Sequence, residues 1–105
     1  LGRGFAAAGG VALAVEDVIR KLRPGAEVKI QRADGLRECR KLLTLARAGK
    51  LDGYLLEGMA CPGGCIAGAG TIIAPEQAAK KLKEHIAQAD VTSCADSPFR
   101  AELEK

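Results

Sequence analysis

The sequence predicts an α/β fold of parallel strand-helix-strand units with flanking helices, on three observations. Ala26-Glu27-Val28-Lys29-Ile30-Gln31 alternates small or apolar with polar residues, the period of a strand with one covered face. Tyr54-Leu55-Leu56, continued by Glu57-Gly58-Met59, is a second and more apolar run. Between them Leu36, Cys39, Leu42, Leu43 and Ala46 repeat at helical spacing down to Gly49. Strand, helix and strand in this order lay the two strands parallel through a right-handed crossover.

Taken in chain order, the first element is a helix on which Val11, Ala14, Val15, Val18, Ile19 and Leu22 form the apolar stripe, stopped by Pro24-Gly25. The first strand is short and belongs at a sheet edge. Ala33-Asp34-Gly35 reads as a turn whose Asp34 caps the next helix. The second strand is the more buried of the two. Pro75 suits the first turn of a last helix with Ala78, Ala79, Leu82 and Ile86 facing inward. The pattern fades from Val91, so residues 1–90 are expected to form the folded lobe and 91–105 a partly disordered tail. In that tail Ala101-Glu102-Leu103-Glu104-Lys105 can prolong a helical end.

A chain of 105 residues supports one core and no more. Hydrophobic residues at 48% and charged residues at 28% are ordinary globular usage, which disfavours disorder. Phe5, Tyr54 and Phe99 are the only aromatics, so a stacking platform for single-stranded nucleic acid is lacking. The net charge of +3 is dispersed, and Lys80, Lys81 and Lys83 read as a solvated helix face. The longest weakly polar stretch, residues 5–15, falls well short of the roughly 20 needed to span a bilayer. The expectation is a cytoplasmic protein without nucleic-acid or membrane partners. Leu at position 1 is read as the mark of a piece from a longer polypeptide.

The chemistry concentrates in Cys61-Pro62-Gly63-Gly64-Cys65, which begins at the carboxyl end of the second strand, where open parallel sheets place their ligands. Pro62 fixes φ, and Gly63 and Gly64 reach conformations closed to other residues, so both sulfurs can turn toward one inorganic object. Thiolate sulfur is the usual ligand of an iron-sulfur cluster, and glycine lets backbone N–H groups approach the sulfides. A cubane takes about four cysteines, so the loop is half a site. A disulfide does not suit a cytosolic chain, and a dithiol redox centre usually has two intervening residues, not three.

The other motifs are weaker. Gly2-Arg3-Gly4-Phe5-Ala6-Ala7 fits a loose dinucleotide pattern but lacks the strand that must precede it. Gly9-Gly10 marks a close backbone approach at a helix start, to another element or to a cofactor. His85 is the only histidine and reads as a surface residue, although a spatial pairing with Cys94 stays open. Cys39 falls on a helix stripe as a small hydrophobe. The spacing of 21, 3 and 28 residues between successive cysteines matches no compact zinc pattern.

Glu57-Gly58-Met59-Ala60-Cys61-Pro62-Gly63-Gly64-Cys65-Ile66-Ala67-Gly68-Ala69-Gly70 closely resembles the third signature of the iron-only (di-iron) hydrogenases, in the C-terminal part of their catalytic large subunit. Ala8-Gly9-Gly10-Val11 resembles the family's Gly-Gly-Val helix start. Asp34-Gly35-Leu36 with Lys41-Leu42-Leu43 resembles its Gly-Leu and Lys-Leu-Leu segment. The likeness covers residues 4 to about 73.

The resemblance implies one lobe of a larger hydrogenase catalytic domain. Cys61 would be a ligand of a 4Fe-4S cubane, and Cys65 would bridge it to a linked two-iron subsite. Met59 would pack beside that subsite, with Gly63 and Gly64 offering N–H groups to the sulfur. The reaction implied is reversible oxidation of hydrogen to protons and electrons, an oxidoreductase activity of the full-length enzyme. Its partners would be the N-terminal remainder of the subunit, carrying the other ligands, and an electron carrier such as ferredoxin. The isolated chain would be inactive and hold no cluster. The family's Gly-Gly-Gly-Gln-Pro run is replaced here by Gly68-Ala69-Gly70-Thr71-Ile72, as in divergent branches. A non-catalytic or sensory iron-sulfur relative is therefore the alternative, and a self-contained dithiol or zinc module the third.

Overall fold

The computed structural model describes residues 1–104. The expected α/β architecture is observed. Helix α1 (Gly10–Leu22) is followed by β1 (Lys29–Asp34), α2 (Leu36–Arg47), β2 (Tyr54–Met59), α3 (Pro75–Ala87) and a short α4 (Arg100–Leu103). Three 3-10 turns, Gly2–Gly4, Cys65–Ala67 and Cys94–Asp96, connect them. The strands pair in parallel, with Lys29 opposite Tyr54 and Asp34 opposite Met59. Helix α2 packs on both strands and α1 on β2, while α3 leans on the Gly2–Gly4 and Cys65–Ala67 turns.

The first strand is displaced from its expected position. It runs from Lys29 to Asp34 and leaves Ala26, Glu27 and Val28 outside, because β2 starts at Tyr54, the partner of Lys29, and offers nothing for them to pair with. Lys29 also sets its ammonium 5.8 Å from the centre of the Tyr54 ring, a cross-strand contact. Ala33 and Asp34 are consequently strand, not turn. Gly35, at φ 92°, takes the N-cap position of α2, and no side chain caps that helix. The expected capping role of Asp34 is overturned; its carboxylate goes elsewhere.

The helix stripes are only partly covered. On α1 the buried residues are Ala12 and Ala14, whereas Val15 and Leu22 of the expected stripe are exposed. On α2 Leu42 is buried and Cys39 and Ala46 half-buried, but Leu36 and Leu43 stand 74% and 65% exposed. The four residues expected to face inward from α3, Ala78, Ala79, Leu82 and Ile86, are each half-buried. Ala12, Ala14, Ala33 and Leu42 are the buried apolar core among the described residues.

A thin core leaves a large surface. The accessible area is 7771 Å² and the radius of gyration 15.5 Å. A free-standing monomer of this size has about 5,600 Å² and about 13 Å.

Beyond α3 the chain returns to α1. The buried Ser93 donates its hydroxyl to Asp17, Lys21 reaches Asp96 at 3.2 Å, and the Leu1 ammonium donates to the Thr92 carbonyl at 2.9 Å. Lys105 of the expected tail lies outside the described residues. Among the described residues no helix is long and apolar enough to cross a membrane.

Candidate functional site

Three local rules build the cysteine loop. Gly64 N–H donates to the Cys61 carbonyl at 2.9 Å, closing a four-residue turn with Pro62 second and Gly63, at φ 86°, third. That is the residue pattern of a type II turn, which needs a positive φ at the third place. Gly64 continues at φ 93° and starts the 3-10 turn that carries Cys65. A Cβ on Gly64 would lie 2.5 Å from the Ala8 nitrogen and 2.7 Å from the Ala6 carbonyl oxygen, so this buried position has no room for a side chain.

The loop is laced to distant chain. Ala8 N–H donates to the Gly63 carbonyl at 3.0 Å, and Ile66 N–H donates to the Ala6 carbonyl at 3.1 Å. Gly63 N–H donates to Oδ2 of Asp34 at 2.7 Å. The start of α1, which follows the Ala6 to Ala8 segment, is fixed by Glu57, a buried carboxylate in β2. It accepts from Gly9 N–H at 2.7 Å and from Ala12 N–H at 3.0 Å. Glu57 thereby supplies the cap that α1, with Gly9 at its N-cap, lacks locally. The residue after it is a close contact of another kind: a Cβ on Gly10 would fall 1.9 Å from the Gly4 carbonyl oxygen, so the paired glycines serve backbone packing.

Cys61 is half-buried and Cys65 exposed, and both are free thiols. Gly68 covers Cys61: a Cβ there would lie 3.5 Å from the Cys61 sulfur. Met59 is half-buried, and its carbonyl accepts from Gly35 N–H at 2.8 Å. Both glycine amides have acceptors within the chain: the Gly63 N–H donates to Asp34 and the Gly64 N–H to the Cys61 carbonyl. What these glycines provide is the turn.

The other two cysteines lie apart from the loop. The Cys39 thiol sits 3.5 Å from the Ala33 and Met59 carbonyl oxygens, packed between α2 and the strand ends. The Cys94 sulfur lies beside Gly2. His85 is exposed on α3 and contributes its backbone carbonyl to Arg3 at 2.7 Å. The loose dinucleotide motif forms the Gly2–Gly4 turn.

The parts that Asp34, Glu57, Gly68 and the Ala6 to Ala8 segment play in holding the loop and the start of α1 escaped the sequence reading. Only Glu57 left a signal: an acidic residue inside an apolar strand, in a chain whose first helix begins at two glycines with no capping side chain.

Two cysteine sulfurs on one bare turn form a soft donor pair suited to an iron-sulfur centre. Among the described residues no group of three or more His, Cys, Asp or Glu side chains is placed to hold a metal ion. The pair therefore fits such a group as a partial ligand set.

Fold and loop together define an α/β protein with a two-thiol loop at the carboxyl end of a parallel strand pair. Comparison with known proteins makes this specific: the family described as iron only hydrogenase large subunit, C-terminal domain, matches residues 1–69. The chain belongs to that family, whose enzymes are oxidoreductases. It is also similar to cytosolic iron-sulfur assembly component 3 of Pongo abelii, 33% identical over 54 residues. Those residues are 51% of this chain and 11% of that relative, so the chain spans only about a tenth of its length.

Proposed function

We propose that this chain supplies two cysteine ligands, Cys61 and Cys65, to the hydrogen-activating cluster of an iron-only hydrogenase, the remaining ligands coming from the rest of the large subunit. The observation that carries this reading is the Cys61–Cys65 turn, laced by three hydrogen bonds to segments far away in sequence and leaving both thiols free. When bound, the 4Fe-4S cubane with its two-iron subsite would supply the reversible oxidation of hydrogen. The chain's own part is to hold the sulfurs, with Gly68 leaving bare backbone over Cys61, and to place Met59 at the end of the strand that leads into the loop. The uncovered Leu36 and Leu43, and an accessible area about 2,000 Å² above that of a free-standing monomer, support a partner lobe packed on this one.

Two serine substitutions and a control test the reading in the full-length parent. Cys61→Ser and Cys65→Ser should each abolish hydrogen uptake, and Cys94→Ser should leave it intact. Equal loss in all three would refute the roles assigned.

A second reading is a non-catalytic iron-sulfur relative. The likeness to an iron-sulfur assembly component and the Gly68-Ala69-Gly70-Thr71-Ile72 ending favour it. A parent that carries iron and sulfide yet takes up no hydrogen would establish it. An electron carrier such as ferredoxin belongs to the first reading only.

A further inference from the structure

We propose that Asp34 is a positioning residue for the cysteine loop: by accepting the Gly63 N–H, its side chain holds the turn from which Cys61 and Cys65 present their sulfurs to a shared ligand. The proposal rests on the reading of that loop as a ligand pair. Asp34 ends β1 opposite Met59, which ends β2, so the loop leaves the sheet beside this carboxylate. In the Cys61 to Gly64 turn the Gly64 N–H is used internally, and the Gly63 N–H has no partner inside the turn. Asp34 Oδ2 takes it at 2.7 Å, across 29 residues of sequence.

The opposite side of the same residue is also fixed, because the Gly63 carbonyl accepts from Ala8 N–H. Both peptide groups of Gly63 are thereby oriented, and Gly63 lies midway between the two thiols. Gly35, next to Asp34, approaches the loop as well: a Cβ there would lie 3.5 Å from Cγ of Pro62. Without the carboxylate, the Gly63 N–H is free to swing toward solvent or toward a ligand sulfur, and the turn loses its anchor to a charged side chain. A side-chain acceptor is what the geometry requires, so asparagine, which keeps a carbonyl oxygen at the same reach, should replace aspartate where alanine cannot.

The test uses cadmium ion as a thiophilic probe, titrated into the reduced full chain and followed by the ultraviolet thiolate-to-cadmium charge-transfer band. A Cys61→Ser/Cys65→Ser double variant defines the loop's share of that band. Asp34→Ala should raise the apparent Kd of the loop about fivefold, as expected for one exposed charge-assisted hydrogen bond. Asp34→Asn should stay within about twofold of the parent.

Amide exchange at Gly63 gives a readout without metal: slow in the parent and in Asp34→Asn, fast in Asp34→Ala. Equal cadmium affinity in Asp34→Ala and the parent overturns the proposal, as does an Asp34→Asn chain as weak as Asp34→Ala. A band that the double cysteine variant leaves unchanged overturns the ligand-pair reading itself.

Discussion

Removing the buried Glu57 carboxylate should unfold this chain more readily than truncating any exposed charged side chain to alanine. Glu57 is 9% exposed and accepts two backbone N–H groups, from Gly9 at 2.7 Å and Ala12 at 3.0 Å. It also lends negative charge to the positive end of α1. A hydrogen bond to a charged group contributes about 1.5–3 kcal/mol, and a buried amide left without a partner costs about 1–3 kcal/mol. These overlap, so Glu57→Ala is expected to cost about 3 kcal/mol, a large part of the 5–15 kcal/mol typical of a small domain.

Glu57→Gln keeps one acceptor but turns its NH₂ toward the second donor, for a loss of about 1–2 kcal/mol. Urea denaturation followed by far-UV circular dichroism measures both. At a slope of about 1.5 kcal/mol/M, the alanine variant should lose about 2 M in midpoint and the glutamine variant about 1 M. Amide exchange should quicken at Gly9 and Ala12 in step. A midpoint shift under about 0.5 M with unchanged slope would show that these two bonds do not hold α1 to β2.

Gly64→Ala should cost several times more stability than Gly53→Ala. Both positions have positive φ, but only at Gly64 does a Cβ meet backbone, at 2.5 Å, whereas nothing lies within 4 Å at Gly53; equal melting temperatures would contradict this. Leu42→Ala should cost about 2–4 kcal/mol, while Leu43→Ser on the adjacent exposed face should cost under about 0.5 kcal/mol in the same denaturation assay. Asp17 is held below the ordinary aspartate range, chiefly by the Ser93 hydroxyl and further by Lys21, against an upward push from burial. Its folded-state value being depressed, the Ser93 contact contributes stability above the unfolded value and loses it as pH falls through the folded one. Protection of the Ala95 amide, measured against its intrinsic exchange rate, should therefore be lost only below the ordinary aspartate range, and Asp17→Asn should remove that pH dependence; a midpoint above that range would refute the assignment.

Local sequence was enough for the helices, the second strand and the turn in the cysteine loop. Apolar spacing marked α1, α2 and α3, and Pro62 followed by two glycines marked a turn with both φ values positive. These are properties of neighbours along the chain, and nearest-neighbour periodicity and backbone freedom reveal them. The first strand was misplaced by three residues because a strand's limits are set by its partner, and Tyr54 decides where β1 can begin pairing. Asp34 illustrates the same point at the site: an aspartate before a helix reads as a cap, yet its carboxylate turns to an amide 29 residues away.

That Cys61 and Cys65 lie together was determined by their spacing of three residues. That Cys39 and Cys94 stand apart from them, that Glu57 closes α1 from across the sheet, and that Ala6 to Ala8 brace the loop were decided by tertiary structure alone. Contacts between segments 20 to 60 residues apart depend on how the strands pair and the helices pack, and no local pattern encodes them.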